Sequence, residues 1–154
     1  MYNKIIENAL FKKIIKTIEE NEKNRIFCCH GIDHCLDVAR IAYILTLENN
    51  LDINKDIIYS AAILHDTGRA FADKEHDSKG ADIAEKILKE CNFSNNYIEE
   101  IKNAILNHRK NVTELNNLSD VICMADKLSR QCFNCKAQSE CYWQEEKRNK
   151  YIKY

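Results

Sequence analysis

Residues able to hold a metal ion recur along this chain, beginning with the adjacent pair His65-Asp66. The pair closes the uncharged run Ile57-Ile58-Tyr59-Ser60-Ala61-Ala62-Ile63-Leu64, which reads as a buried helix. An unpaired carboxylate there would cost several kcal/mol, at about 1.36 kcal/mol per unit of pKa shift. Local capping hydrogen bonds would satisfy the pair, and so would a shared metal ion. Further donors favour the ion. His34 stands one turn before Val38 on a core-facing stripe, and His108 follows Ile98, Ile101 and Ile105 at helical spacing. His76 lies at the mouth of another helix, and Asp126 falls one turn beyond Ile122 in Met124-Ala125-Asp126-Lys127-Leu128. Each alone could be a satisfied core histidine or a salt-bridged aspartate. Six together would need several coincidences, whereas imidazole and carboxylate donors suit a divalent ion such as iron, manganese, nickel or zinc.

A second donor group is Cys132-Phe133-Asn134-Cys135 followed by Cys141, a C-x2-C-x5-C run. Its first pair has the spacing at which two thiolates grip one ion. A four-coordinate site needs one more thiol, from Cys28, Cys29 or Cys123; Cys28 is preferred because it would tie the two ends of the chain together. Zinc, an iron–sulfur cluster and free thiols are the three readings of this group. Arg69, Lys79, Arg109 and Lys127 stand at or near the metal donors and are candidate phosphate binders, Arg69 and Lys127 foremost. His30, four residues before His34, either backs a ligand, faces substrate or is merely exposed.

The elements that must position these groups are helices. The chain has no proline and three glycines, and period-2 alternation is missing. Helical spacing predicts an amphipathic helix over residues 5–24 and a second helix running to about residue 48. A third is predicted over 55–66, stopped by Gly68, then a loop over 67–75 and a helix capped by Asp77 or Ser78. Two more are predicted over 95–108 and 118–128. The expectation is an all-α bundle of six to seven helices, a single domain over residues 1–154 with the Cys-rich motif at 132–141. A net charge of −1 gives no strong nucleic-acid signal, and the basic and aromatic tail is too short for one. No apolar run approaches the ~20 residues that span a bilayer, and the start of the chain lacks a signal-peptide core. A cytoplasmic location is expected, in which eight cysteines do not read as a disulfide framework. Oligomeric state is not legible.

Three segments carry a resemblance. His34-Cys35-Leu36-Asp37-Val38-Ala39, Ala62-Ile63-Leu64-His65-Asp66-Thr67-Gly68 and Met124-Ala125-Asp126-Lys127 resemble the first ligand helix, the signature and the closing aspartate of the HD superfamily of metal-dependent phosphohydrolases. The resemblance spans residues 25 to 130 and implies an all-α bundle with His34, His65, Asp66 and Asp126 as ligands. His76 and His108 are similar to the additional histidines of two-metal members. With Gly80-Ala81 and Ala104-Ile105-Leu106-Asn107 they resemble the subgroup that splits diadenosine tetraphosphate symmetrically, in which a two-iron centre is typical. Leu128-Ser129-Arg130-Gln131-Cys132 departs from that subgroup, which has a Glu-Pro-containing segment there. The resemblance implies two ions about 3.5–4 Å apart, bridged by Asp66 and a solvent molecule that attacks phosphorus as hydroxide. Arg69 and Lys127 would then absorb developing charge. The implied activity is hydrolysis of a phosphoester or phosphoanhydride, of a nucleotide or other small phosphate ester. The rivals are a single-metal nucleoside monophosphate phosphatase, a non-catalytic nucleotide-binding or redox-sensing protein, and a di-iron oxygenase. The C-x2-C-x5-C run with a remote cysteine resembles the staple of certain nucleases, which implies a 4Fe-4S cluster clipping distant segments.

Overall fold

The computed structural model describes residues 1–71 and 74–154. Within them lie seven α-helices: α1 (Asn3–Glu7), α2 (Ala9–Asn21), α3 (Ile32–Glu48), α4 (Lys55–Leu64), α5 (His76–Glu90), α6 (Asn95–Asn107) and α7 (Leu118–Ser129). The fold is all-α, as the helical spacing predicted.

Asparagine does the punctuation that proline and glycine usually share. The side chains of Asn8, Asn54 and Asn117 cap α2, α4 and α7, accepting from the amides of Phe11, Asp56 and Asp120. Such a cap contributes about 1 kcal/mol. Asn8 also explains a correction: the predicted helix over 5–24 is two helices, because Asn8 adopts an extended conformation to cap the second. At the other ends, Asn50 and Asn92 take left-handed φ of 53° and 60°. The Leu51 and Phe93 amides then reach back to the carbonyls of Thr46 and Leu88, both at 3.0 Å. This is the terminator in which a left-handed residue satisfies the last carbonyls. Asn92→Ala should therefore lower unfolding stability by about 1 kcal/mol, the cost of a left-handed residue with a Cβ and no local hydrogen bond. Urea denaturation reads this directly.

Gly68 plays a different part from the one its position suggests. Its φ is not positive, and it lies inside a 3-10 turn, Thr67–Ala70, that follows α4. A Cβ on Gly68 would sit 1.9 Å from the His76 carbonyl oxygen and 2.7 Å from the Gly80 amide nitrogen. The residue is glycine because two backbones touch there. The turn thus packs on the first turn of α5 and also on α2. The predicted loop over 67–75 is accordingly a helical turn at its start; positions 72 and 73 lie outside the described residues. Asp77 and Ser78 do not cap α5, whose first residue is already His76.

Helix α3 packs on α4 and α7, α5 on α6, and α6 on α4 and α7. Between them Val38, Ala42, Ile58, Ala61, Ile101, Ile105 and Ile122 are fully buried. This packing lets groups carried by α3, α4, α5, α6 and α7 meet in one place. Beyond α7 the chain continues as three short 3-10 turns packed by polar side chains.

Candidate metal centre

The donors converge where α4 ends. Helix α4 stops at Leu64, so His65 and Asp66 stand at the junction with the 3-10 turn rather than in the last turn of the helix, as predicted. They are 0% and 2% exposed. His34 comes from the first turn of α3, His76 from the start of α5, His108 from the end of α6, and Asp126 from α7.

Two sets of three donors form, each with its atoms within 4.8 Å of one another: His34, His65 and Asp66, and Asp66, His76 and His108. Asp66 belongs to both through different oxygens. Its Oδ2 lies 3.2 Å from His65 Nε2 and 3.5 Å from His34 Nε2. Its Oδ1 lies 3.3 Å from His76 Nε2 and 3.8 Å from His108 Nε2. Asp126 Oδ1 joins the first set, 3.5 Å from His34 Nε2 and 3.9 Å from His65 Nε2.

The far sides of the rings decide what their near sides offer. His65 Nδ1 bonds the Ala62 carbonyl at 2.7 Å, and His108 Nδ1 bonds the Ile105 carbonyl. A carbonyl only accepts, so in both rings Nδ1 carries a hydrogen, which leaves Nε2 as the atom that would present a lone pair to a bound ion. Ser129 donates its hydroxyl to the Asp126 carbonyl, so at 3.4 Å it accepts from His34 Nδ1. His34 Nε2 and His65 Nε2 are only 3.3 Å apart, as are His76 Nε2 and His108 Nε2. Lone pairs that close need a proton or a cation between them. Divalent ions therefore fit this donor set, with backbone and serine partners holding the His34, His65 and His108 rings in the liganding tautomer.

Charge is concentrated accordingly. Burial alone would push His65 down, but the Asp66 carboxylate beside it raises it to about 9. Burial pushes Asp66 up, and His65, His34 and Arg69 outweigh it, holding the carboxyl well below the usual range. His108 is pushed down to about 4 by burial and by the charge of His65.

A cavity of about 660 Å³ opens onto the centre. Of the predicted phosphate binders, Arg69, Arg109 and Lys127 line it; Lys79 does not. Arg69 is already engaged, its Nε donating to Asp66 Oδ1 at 2.8 Å. Lys127 Nζ donates to the Lys110 carbonyl at 2.9 Å. His30, which precedes α3 rather than sharing its face with His34, also lines the cavity. Glu22 holds it, accepting from Nδ1 at 2.6 Å and from the backbone amide at 2.7 Å. Glu22, Arg25 and Arg130 were missed in the sequence. Their only signal was adjacency to the His30 and cysteine segments, and Arg25 and Arg130 reach this cavity only through folding.

Cys28, Cys132, Cys135 and Cys141 line one neighbouring cavity, and Cys29 is on its wall too. Cys123 is buried elsewhere, its thiol on the Lys110 carbonyl. No helix among the described residues is long and apolar enough to cross a membrane.

A helical bundle with a His…His-Asp…Asp set at its centre defines a class, and comparison with known proteins agrees. The model of the HD domain matches residues 31–131, and the chain belongs to that family, a superfamily of metal-dependent phosphohydrolases whose members bind divalent metals. An uncharacterized protein of Clostridium beijerinckii is 40% identical to it over 156 residues, covering 99% of this chain and 98% of the relative. No solved structure gives a significant match.

Proposed function

We propose that the chain is a two-metal phosphohydrolase that cleaves a phosphoester or phosphoanhydride bond of a nucleotide. The observation that carries this reading is the division of labour at Asp66, whose two oxygens face two separate sets of histidines. A single-ion site at His34 and His65 would not use the His76 and His108 rings, which stand together at Asp66 Oδ1. Bound ions would supply Lewis-acid polarisation and a solvent molecule acidic enough to be a nucleophile near neutral pH.

The chain's own residues do the rest. His34, His65, Asp66 and Asp126 hold one position, and Asp66, His76 and His108 the other. Arg69 and Lys127 stand at the cavity wall to absorb charge as the phosphoryl group transfers. Arg25, Arg109 and Arg130 extend this cationic surface, which suits several phosphates in a row. Phe27, Tyr142 and Trp143 line the same cavity and offer faces on which a nucleobase can stack. His30 donates through Nδ1 to Glu22, which leaves Nε2 as the ring atom able to accept a hydrogen bond from a substrate hydroxyl. A dinucleoside polyphosphate, cleaved as in the diadenosine tetraphosphate subgroup, matches both the row of cations and the aromatic walls.

The test combines metal counting with phosphate release. Metal-stripped protein reloaded with manganese or iron should hold two ions at the histidine centre and hydrolyse at least one of a panel of nucleoside mono-, di- and triphosphates and diadenosine tetraphosphate. His76→Ala and His108→Ala should each remove one ion. If both variants keep the full count, the single-metal reading replaces this one. Tight nucleotide binding without turnover would make the protein a receptor.

A further inference from the structure

We infer that Cys28, Cys132, Cys135 and Cys141 bind one four-iron iron–sulfur cluster, and that this cluster pins the C-terminal segment in place as a wall of the substrate cavity. The four thiols come from opposite ends of the chain, yet all line one cavity of about 330 Å³. The Cys28 thiol is close enough to Cys132 and Cys135 to respond to their charge.

The spacing discriminates between metals. A tetrahedral zinc with bonds of about 2.3 Å would hold its sulfurs about 3.8 Å apart. Among the described residues the histidine and aspartate donors draw together within 4.8 Å in threes, and no three cysteines do. The four cysteines line one cavity, and no three of their thiols close on a point. A cluster fills such a space, because its irons and sulfides lie between the four thiolates.

Two independent observations point to a bound group there, the first of them to an anionic one. Arg130 lines this cavity, and its Nη1 is buried with no hydrogen-bond partner. It lies close enough to Cys28 to favour that thiolate, and its guanidinium stacks on Trp143 at 4.6 Å. A thiolate-ligated cluster carries net negative charge and would satisfy it. The second observation is how little else secures the segment. Across residues 130–154 Ala137 is the one hydrophobic side chain buried, and ordering comes from polar clamps. Arg148 donates to the carbonyls of Cys141 and Trp143, both at 2.8 Å, and Gln138 donates to the Cys132 carbonyl at 2.7 Å. These clamps hold the cysteine backbone in position without burying apolar surface. A segment with so small a core gains its stability from a metal centre.

Cys29 is the natural control. Its thiol turns to the Phe27 carbonyl at 3.5 Å, not to the other cysteines. The wall is shared, since Phe27, Cys28, Arg130, Tyr142 and Trp143 line both cavities. Loss of the cluster should therefore weaken substrate binding more than it slows turnover.

The experiment is acid-labile sulfide analysis of the full chain purified without air, with electron paramagnetic resonance after reduction. Sulfide is chosen because iron at the histidine centre brings none. About four sulfides per chain are expected, falling more than tenfold in Cys28→Ser and Cys135→Ser. The count should be unchanged in Cys29→Ser and Cys91→Ser, and also in Asp66→Ala, which separates this site from the histidine centre. Wild-type protein with one zinc and no sulfide would overturn the inference, as would freely titrating thiols with no metal. Sulfide retained by a folded Cys28→Ser variant, with wild-type helical circular dichroism, would remove Cys28 from the site.

Discussion

Asp66→Asn is expected to abolish turnover while leaving the helices intact. The amide matches the carboxylate in shape but is neutral, and only one of its two terminal atoms can donate a lone pair to an ion. The second set would keep His76 and His108 alone, too few donors to retain an ion. The first would keep His34, His65 and Asp126, so at most one weakly held ion should remain at the centre. Metal-assisted stabilisation of a phosphoryl transition state amounts to several kcal/mol, and each 1.36 kcal/mol is tenfold. The rate should fall by about 10³ or more. Metal analysis beside a kinetic assay reads both effects. A variant that keeps two ions and half its rate would show that Asp66 does not bridge.

Gly68→Ala should be the most damaging substitution outside the donors. The added methyl would meet backbone rather than a yielding side chain, at 1.9 Å from the His76 carbonyl oxygen. Either the 3-10 turn or the first turn of α5 must move, and His76 moves with α5. Overpacking of this severity costs about 3 kcal/mol. For a chain of this size that is a fall of roughly 6–12 °C in Tm. The ion held by His76 and His108 should be lost before the one held by His34. Gly80→Ala is the contrasting case. Its Cβ would meet neighbours at 3.4–3.5 Å, ordinary contact, and alanine is favoured within a helix. That variant should be as stable as the parent or slightly more so. Thermal melts of the two side by side distinguish a glycine required by backbone contact from one merely tolerated.

The placement of these two glycines beside histidines was visible in the sequence, but not the reason for it. Gly68 looked like a helix stop because glycine commonly ends helices in a left-handed conformation. Here Asn50 and Asn92 take that role, and Gly68 serves a contact between segments that no local pattern records. The split of the N-terminal helix at Asn8 was hidden similarly, since one asparagine inside a 3.6-residue repeat leaves the repeat intact. Lys79 is the reverse case: nearness in sequence to His76 suggested a phosphate contact, but Lys79 is not among the residues that line the cavity.

What the amino-acid order determined by itself is the all-α bundle and the choice of the six histidines and aspartates that the fold brings together. Both follow from periodicity: apolar stripes at helical spacing say which face turns inward, and a titratable group on that face is buried at a price that demands a partner. What only the tertiary structure decided is how the donors divide. Assigning Asp66 Oδ1 to one set and Oδ2 to the other needs angles between helices. So does bringing Arg25 and Arg130 to one cavity, or Cys28 to the tail. Those arrangements depend on how side chains from distant segments pack, and spacing along a chain carries no information about distance across it.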